Sequence, residues 1–228
     1  MNVTIIRATS RKNSSTYNAA QYFISSLHNV EEVFEFTLPK DMPHICCGCY
    51  ACLSGNEEKC GGYAYLKPIN EAIAKSQLLI FCCPVWCFHA PGQIKSFLDH
   101  YGYRWLVHRP NFDMLHKQAV IITTAGGGGL RSAAKDIADS MYYCGVARTH
   151  VVTQSVWGYF WNDMPENMKR SFTRKLDKAA VKVEKCARYL KPSCKVKFLY
   201  IMFKHLHLAD KMWPIDNAYW KEHVKSGM

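Results

Sequence analysis

The chain has 228 residues, 49% of them hydrophobic, and a formal net charge of +11. That length suits one α/β domain with an extension, or at most two small domains, and the apolar fraction excludes wholesale disorder. The charge is uneven: residues 1–164 carry 14 Lys/Arg against 12 Asp/Glu and residues 165–228 carry 15 against 6, so any argument from charge concerns the tail alone.

No run of about 18 uncharged apolar residues occurs, so no transmembrane helix is expected. The apolar part of Met1–Arg7 is too short for a signal peptide, and Val3–Thr9 reads as a first strand. A reducing, cytoplasmic setting is therefore expected. There, eleven cysteines mean thiols, metal ligands or a cluster rather than a disulfide framework.

Strand and helix patterns then alternate. Ser15–Leu27 places Tyr17, Ala20, Phe23, Ile24 and Leu27 on one helical face. Glu31–Leu38 reads as a second strand, followed by a Cys-rich loop from Pro43 to Gly62 and a short helix over Lys67–Lys75. Gln77–Cys83 and Gln118–Ala125 are strands apolar on both faces, followed by helices over Gly92–Tyr103 and Leu130–Tyr143 respectively. Thr149–Val156 is a fifth strand. Continuous apolar strands separated by helices predict an α/β fold: a doubly wound five-stranded parallel sheet with helices on both faces. Ligands on such sheets bind beyond the carboxyl ends of the strands, where strand order reverses.

The tail differs. Pro165–Leu190 predicts one long helix with Met168, Phe172, Leu176, Val183 and Leu190 near one stripe, stopped by Pro192. The main domain is thus expected over 1–190, with a basic helical C-terminal extension over 191–228. Within it, Phe198–Leu208 is too apolar to stay solvated and too short to span a bilayer. It is expected to cover the active site or to form a homodimer contact, and its lysines and histidines also permit peripheral contact with an anionic membrane. The tail carries no recognisable nucleic-acid reading motif, so no nucleic-acid partner is expected.

Three loops follow strands in the positions where ligands bind. Thr9-Ser10-Arg11-Lys12-Asn13-Ser14-Ser15-Thr16 puts hydroxyls, an amide and two cations at a helix N-terminus, which suits phosphate by charge and dipole. A plain helix cap is the alternative. Pro84–Gly92 carries an aromatic tip between prolines, able to offer amides and a ring face to a flat ligand or simply to pack over the sheet edge. Thr123–Gly129 ends in four glycines, which allow close backbone approach or serve as a flexible loop.

These segments carry a resemblance. Ser10–Thr16 resembles the S-x-R-K-x-x-x-T phosphate loop of the flavodoxin-like NAD(P)H-dependent FMN reductase superfamily. Pro84–Asp99 resembles that superfamily's P-V-Y-W-x-x-P-x-x-L-K-x-F-x-D segment, and Thr123–Gly129 its third flavin-contacting loop. The likeness spans roughly residues 1–157. It departs at Ala8-Thr9, where Gly-Ser is usual; threonine keeps the hydroxyl. The resemblance implies a flavodoxin-like fold, FMN as cofactor and NAD(P)H as co-substrate. By position it implies that Thr9, Ser10, Arg11, Asn13, Ser15 and Thr16 hold the phosphate. Pro84, Val85, Trp86, Cys87 and Phe88, with Thr124, Ala125, Gly126 and Gly127, would frame the ring.

Cys46, Cys49, Cys52 and Cys60 have C-x2-C-x2-C-x7-C spacing, tight enough to wrap a 4Fe–4S cluster as metal ligands, with zinc as the alternative. The loop resembles the compact cysteine motif of iron–sulfur flavoproteins. A similar C-x-G-C-x-x-C also occurs in relatives without a cluster, so free or redox-active thiols stay open. Cys82 and Cys83 read as small hydrophobes in a buried strand, and Cys144, Cys186 and Cys194 as structural. His89, His108 and Arg109 are candidates for the substrate mouth or for ordinary surface roles.

Flavin takes hydride or single electrons itself, so no catalytic side chain is expected. The sequence thus predicts an FMN-dependent NAD(P)H oxidoreductase passing electrons to a small acceptor such as a quinone or flavin. An electron-transfer iron–sulfur flavoprotein serving protein partners is the alternative.

Overall fold

The computed structural model describes residues 1–225. Strands β1 (Val3–Arg7), β2 (Val33–Thr37), β3 (Leu78–Pro84), β4 (Gln118–Ala125) and β5 (Arg148–Ser155) form one sheet. Its order is β2-β1-β3-β4-β5 and every pairing is parallel. The chain passes outward from β1 to β2, then returns to build on the other side of β1. Strand order therefore reverses between β1 and β3.

Alternation of side chains across the pleat divides the core. Ile6, Leu79, Phe81 and Ile121 face one side, under α2 (Tyr63–Lys75), α3 (Gly92–Asp99) and α4 (Leu130–Tyr143). Ile5, Leu78, Ile80 and Val120 face the other, under α1 (Ser15–Ser25) and α5 (Glu166–Arg188). β3 and β4 are buried at every residue, as their two-sided apolar sequences require, whereas the edge strands β2 and β5 are partly exposed. The stripe of α5 docks Phe172, Leu176 and Val183 into this second core at full burial. Truncating Phe172 to alanine there would cost about 3–5 kcal/mol.

Element bounds differ from the sequence reading where tertiary burial overrides local signals. α2 starts at Tyr63 rather than Lys67 and contains Pro68; burial of Leu66 beside Ile69 and Ala72 adds the extra turn. α3 ends at Asp99, and Gly102–Arg104 forms a separate 3-10 turn.

In the extension, the apolar segment at 198–208 belongs to a longer helix, α6 (Cys194–Leu208). It is capped by the Ser193 hydroxyl, which accepts the Val196 N–H at 3.3 Å. α7 (Pro214–Lys225) follows, with proline at its first position, where its missing N–H costs nothing. Leu199 of α6 and Trp220 of α7 are buried with Leu106 and Phe112 in a third apolar cluster. Residues 226–228 of the expected extension lie outside the described residues. Among the described residues no helix is long and apolar enough to cross a membrane.

Candidate cofactor-binding cleft

A cleft of about 240 Å³ opens at the carboxyl ends of the strands. Arg11, Ser14, Ser15 and Thr16 line it after β1, and Pro84, Val85 and Trp86 after β3. Thr124, Ala125 and Gly126 line it after β4, and Val156, Gly158, Tyr159 and Phe160 after β5. Its walls are locked together by long-range bonds. The Thr16 and Thr124 hydroxyls bond each other across the cleft floor. Ser15 Oγ donates to the Tyr159 carbonyl at 2.9 Å, and the Val85 N–H to the Thr124 carbonyl at 2.8 Å.

The polar end of the cleft follows from α1. Ser14 precedes the helix, yet its side chain makes no capping bond. The first-turn N–H groups, which a helix cannot satisfy internally, thus stay available beside Arg11 at the positive end of the dipole. Thr9 and Ser14–Thr16 are buried while Ser10, Arg11, Lys12 and Asn13 are exposed. Thr9 does not line the cleft: its Oγ1 accepts the Arg11 N–H at 3.3 Å and shapes the loop. Ser10 and Asn13 lie outside the lining as well.

The opposite wall is a tight turn. Trp86 and His89 exchange both backbone hydrogen bonds, at 3.0 and 2.9 Å, across Cys87 and Phe88. Both central residues have positive φ, 47° and 66°, the geometry that two-residue hairpins normally give to Asn-Gly. Holding non-glycine residues so costs on the order of 1–3 kcal/mol each. Cys87 and Phe88 form the tip and do not line the cleft; Phe88 packs back onto the glycine loop. A Cβ on Gly129 (φ 84°) would meet Phe88 Cα at 2.6 Å, and one on Gly128 would meet the Phe88 ring at 2.8 Å. Gly126 instead borders open space, and Gly127 lies against Trp157.

The loop after β5 was not singled out from the sequence. Its signal was an aromatic run, Trp157-Gly158-Tyr159-Phe160-Trp161, directly after a strand. Trp86, Phe88, Trp157, Tyr159 and Phe160 are all exposed, ringing the cleft with aromatic surface. Among the described residues the lining holds no carboxylate, imidazole or thiol.

Other candidates fall elsewhere. His89 is exposed on the turn, with Nδ1 2.7 Å from Ser132 Oγ. His108 and Arg109 do not reach the mouth; both bond Asp216 of α7, and Arg109 is buried. No tail residue lines the cleft. Cys144 is buried as expected, but Cys194 is exposed. Burial pushes the Cys83 thiol up to about 12 and raises Cys82 further still, so both act as apolar wall.

The cysteine loop does not assemble its predicted ligand set. Among the described residues, no three His, Cys, Asp or Glu side chains form a group able to hold a metal ion. Cys46, Cys49 and Cys60 are near enough to Cys52 to influence it, though its thiol is raised chiefly by burial. Cys49 is exposed, however, and Cys60 is engaged by His100, with Sγ 3.7 Å from Nδ1. His100 Nε2 donates to the His44 carbonyl at 3.1 Å. Burial lowers the His100 pKa, so the neutral ring leaves Nδ1 to accept the Cys60 thiol proton.

Parallel strand order, helices on both faces and a cleft at the reversal point define a flavodoxin-like α/β protein. Solved structures share the fold. An azoreductase from Bacillus anthracis strain Sterne matches with TM-score 0.62 and 17% identity, over 80% of this chain and 99% of that one. An NAD(P)H:quinone oxidoreductase from Methanothermobacter marburgensis matches with TM-score 0.59 and 18% identity, over 81% and 97%. An FMN-dependent NADH-azoreductase from Bacillus anthracis strain Ames Ancestor, in complex with FMN, matches with TM-score 0.59 and 13% identity, over 80% and 99%. Comparison with curated protein sequences gives no match. The family model for NADPH-dependent FMN reductase matches residues 1–159. The chain belongs to that family and is an NAD(P)H-dependent flavin oxidoreductase.

Proposed function

We propose that the cleft holds FMN and that the protein passes electrons from NAD(P)H to a small planar acceptor such as a quinone or free flavin. The observation that supports this most is the convergence of four strand-end loops on one cleft where strand order reverses. In this reading the phosphate rests on the free N–H groups of α1 while Arg11 adds charge; the Ser15 hydroxyl turns to it from the Tyr159 carbonyl, and the Thr16 hydroxyl donates to it while accepting from Thr124. Pro84–Trp86 and Thr124–Gly126 bound the ring. Bound FMN supplies the hydride and single-electron chemistry at its ring.

The chain's own part is to bind, orient and exclude. The residues fit the group: Gly126 borders open space where a side chain would intrude, and the polar groups gather at one end. The exposed rings of Trp86, Trp157, Tyr159 and Phe160 offer faces on which flat reductants and acceptors stack. The homodimer expected from the sequence would use the outward stripe of α6, where Phe198, Ile201 and Leu208 stand exposed at helical spacing. The test is anaerobic. Apoprotein is titrated with FMN, reduced with NADPH or NADH, then mixed with a naphthoquinone, free FMN or an azo dye. Stoichiometric FMN binding and rapid reoxidation by one acceptor class support the reading; failure to bind FMN overturns it.

A further inference from the structure

A second recess, of about 280 Å³, lies on the α2–α3–α4 side of the sheet, toward the amino ends of β3 and β4 and away from the cleft. Its floor is wholly apolar and buried: Leu79, Phe81, Phe97, Leu98, Met114 and Met141. Cys144 adds a wall rather than a reagent, since burial pushes its thiol up to about 12. Well-packed interiors do not leave voids of this size between large side chains.

The rim is polar, and its one charged side chain, Arg104, is positive. Asn70 Oδ1 accepts the Tyr101 hydroxyl at 2.7 Å, and Asn111 Oδ1 accepts the Asp113 N–H at 3.0 Å. Each amide thus spends its acceptor on the protein and keeps its N–H₂ donors. The Ser140 hydroxyl donates to the Asp136 carbonyl, and the Tyr219 hydroxyl to the Pro110 carbonyl. Arg104 forms none of the ion pairs among the described residues. Its guanidinium meets the Arg109 carbonyl at 3.5 Å and the Tyr103 hydroxyl, and lies 4.7 Å from the Tyr103 ring centre. An apolar floor beneath amide donors and a guanidinium with no carboxylate partner among the described residues selects an apolar body with an anionic acceptor head.

We infer that this recess, closed on one side by Tyr219 of α7, is a binding site for a small apolar monocarboxylate. Ligand sites commonly measure about 300–1,000 Å³, so the occupant is small, on the order of ten carbons. The head sits at Arg104 between Asn70 and Asn111, and the body lies along Phe81, Phe97 and Met141. The inference is independent of the flavin reading, because the two cavities share no lining residue.

The probe is decanoate, below its micelle concentration, titrated into the full-length FMN-loaded protein and followed by calorimetry and by NMR of labelled methionine methyls. Decanoate should bind and shift Met114 and Met141, with decanol about tenfold weaker or worse, as the loss of a charge-assisted bond requires. Arg104→Gln should bring decanoate down to the affinity of decanol and leave decanol unchanged. Ser140→Trp, which fills the rim, should abolish both while the flavin spectrum and the KM for NADPH stay as they were. Absence of decanoate binding, equal affinity for decanol in the unaltered protein, or shifts that leave Met114 and Met141 untouched would each overturn the proposal.

Discussion

Arg109 Nη1 donates to Asp216 Oδ1 at 2.5 Å, and the two side chains are only 6% and 1% exposed. This pair ties three distant segments together. Asp216 belongs to α7 and also bonds His108 Nδ1 at 2.8 Å. The Arg109 guanidinium also donates to the carbonyls of Cys52 and Leu53, fixing one end of the cysteine loop. Trp220, one turn along α7, donates its indole N–H to the His108 carbonyl at 2.7 Å. The extension is therefore bolted to the body at one buried charge pair.

Removing one partner of a buried pair typically costs about 3–5 kcal/mol; here Arg109 keeps the partly exposed Glu57 at 3.4 Å, which sets the cost at the lower end of that range. Asp216→Ala should lower stability by that order and expose α6 and α7 to limited proteolysis, with cleavage concentrated near residues 189–193. Urea unfolding and mass spectrometry of the fragments measure both effects. An undiminished midpoint with a protease-resistant tail would show that the apolar cluster around Trp220 anchors the tail alone.

Arg11 is exposed at the polar end of the cleft, where the FMN phosphate is proposed to sit. Arg11→Ala should weaken FMN by about 10- to 100-fold, the equivalent of roughly 1.5–3 kcal/mol for a charge-assisted bond. Riboflavin, which lacks the phosphate, should lose little. Equal losses for both ligands would place Arg11 elsewhere in the binding mode.

Two glycines of one loop should respond differently to the same substitution. Gly129→Ala forces a Cβ against the Phe88 backbone at a φ of 84°, so both stability and FMN affinity should fall. Gly126→Ala meets open space, so the melting temperature should hold while FMN binding drops. Matched losses in both variants would contradict the division of labour within this loop.

Acid should destabilise the fold as pH falls below about 6.5. Burial lowers the pKa of His150 and His207 in the folded chain, whereas unfolded histidine titrates near ~6.5. Below that pH the unfolded state takes up protons that the folded state refuses, so stability present above it is lost as pH falls. His207 is fully buried, bonds Asn217 at 3.0 Å and stacks on Trp220. Urea midpoints at pH 7.5 and 5.5 should differ, and His207→Gln should shrink the difference. A variant with the full wild-type pH dependence would remove His207 as a source.

The amino-acid sequence by itself determined the five strands, their helices and three of the four loops around the cleft. The reason is local: Gln77–Cys83 and Gln118–Ala125 are apolar on both faces, and only a central parallel strand buries both. Arg11, Trp86 and Gly126 could be placed near one another because loops after parallel strands emerge at one edge. Tertiary structure decided what depends on contacts across distant sequence. It brought Tyr159 to Ser15, and so added the fourth loop. It set Gly129 under Phe88 while leaving Gly126 open, a difference invisible in four identical letters. It drew Arg109 away from the mouth, because its buried guanidinium is held by Asp216, more than a hundred residues along the chain, and by Glu57 and two carbonyls of the cysteine loop. It also set Cys60 against His100, since spacing limits how near thiols can come but not which neighbour each one meets.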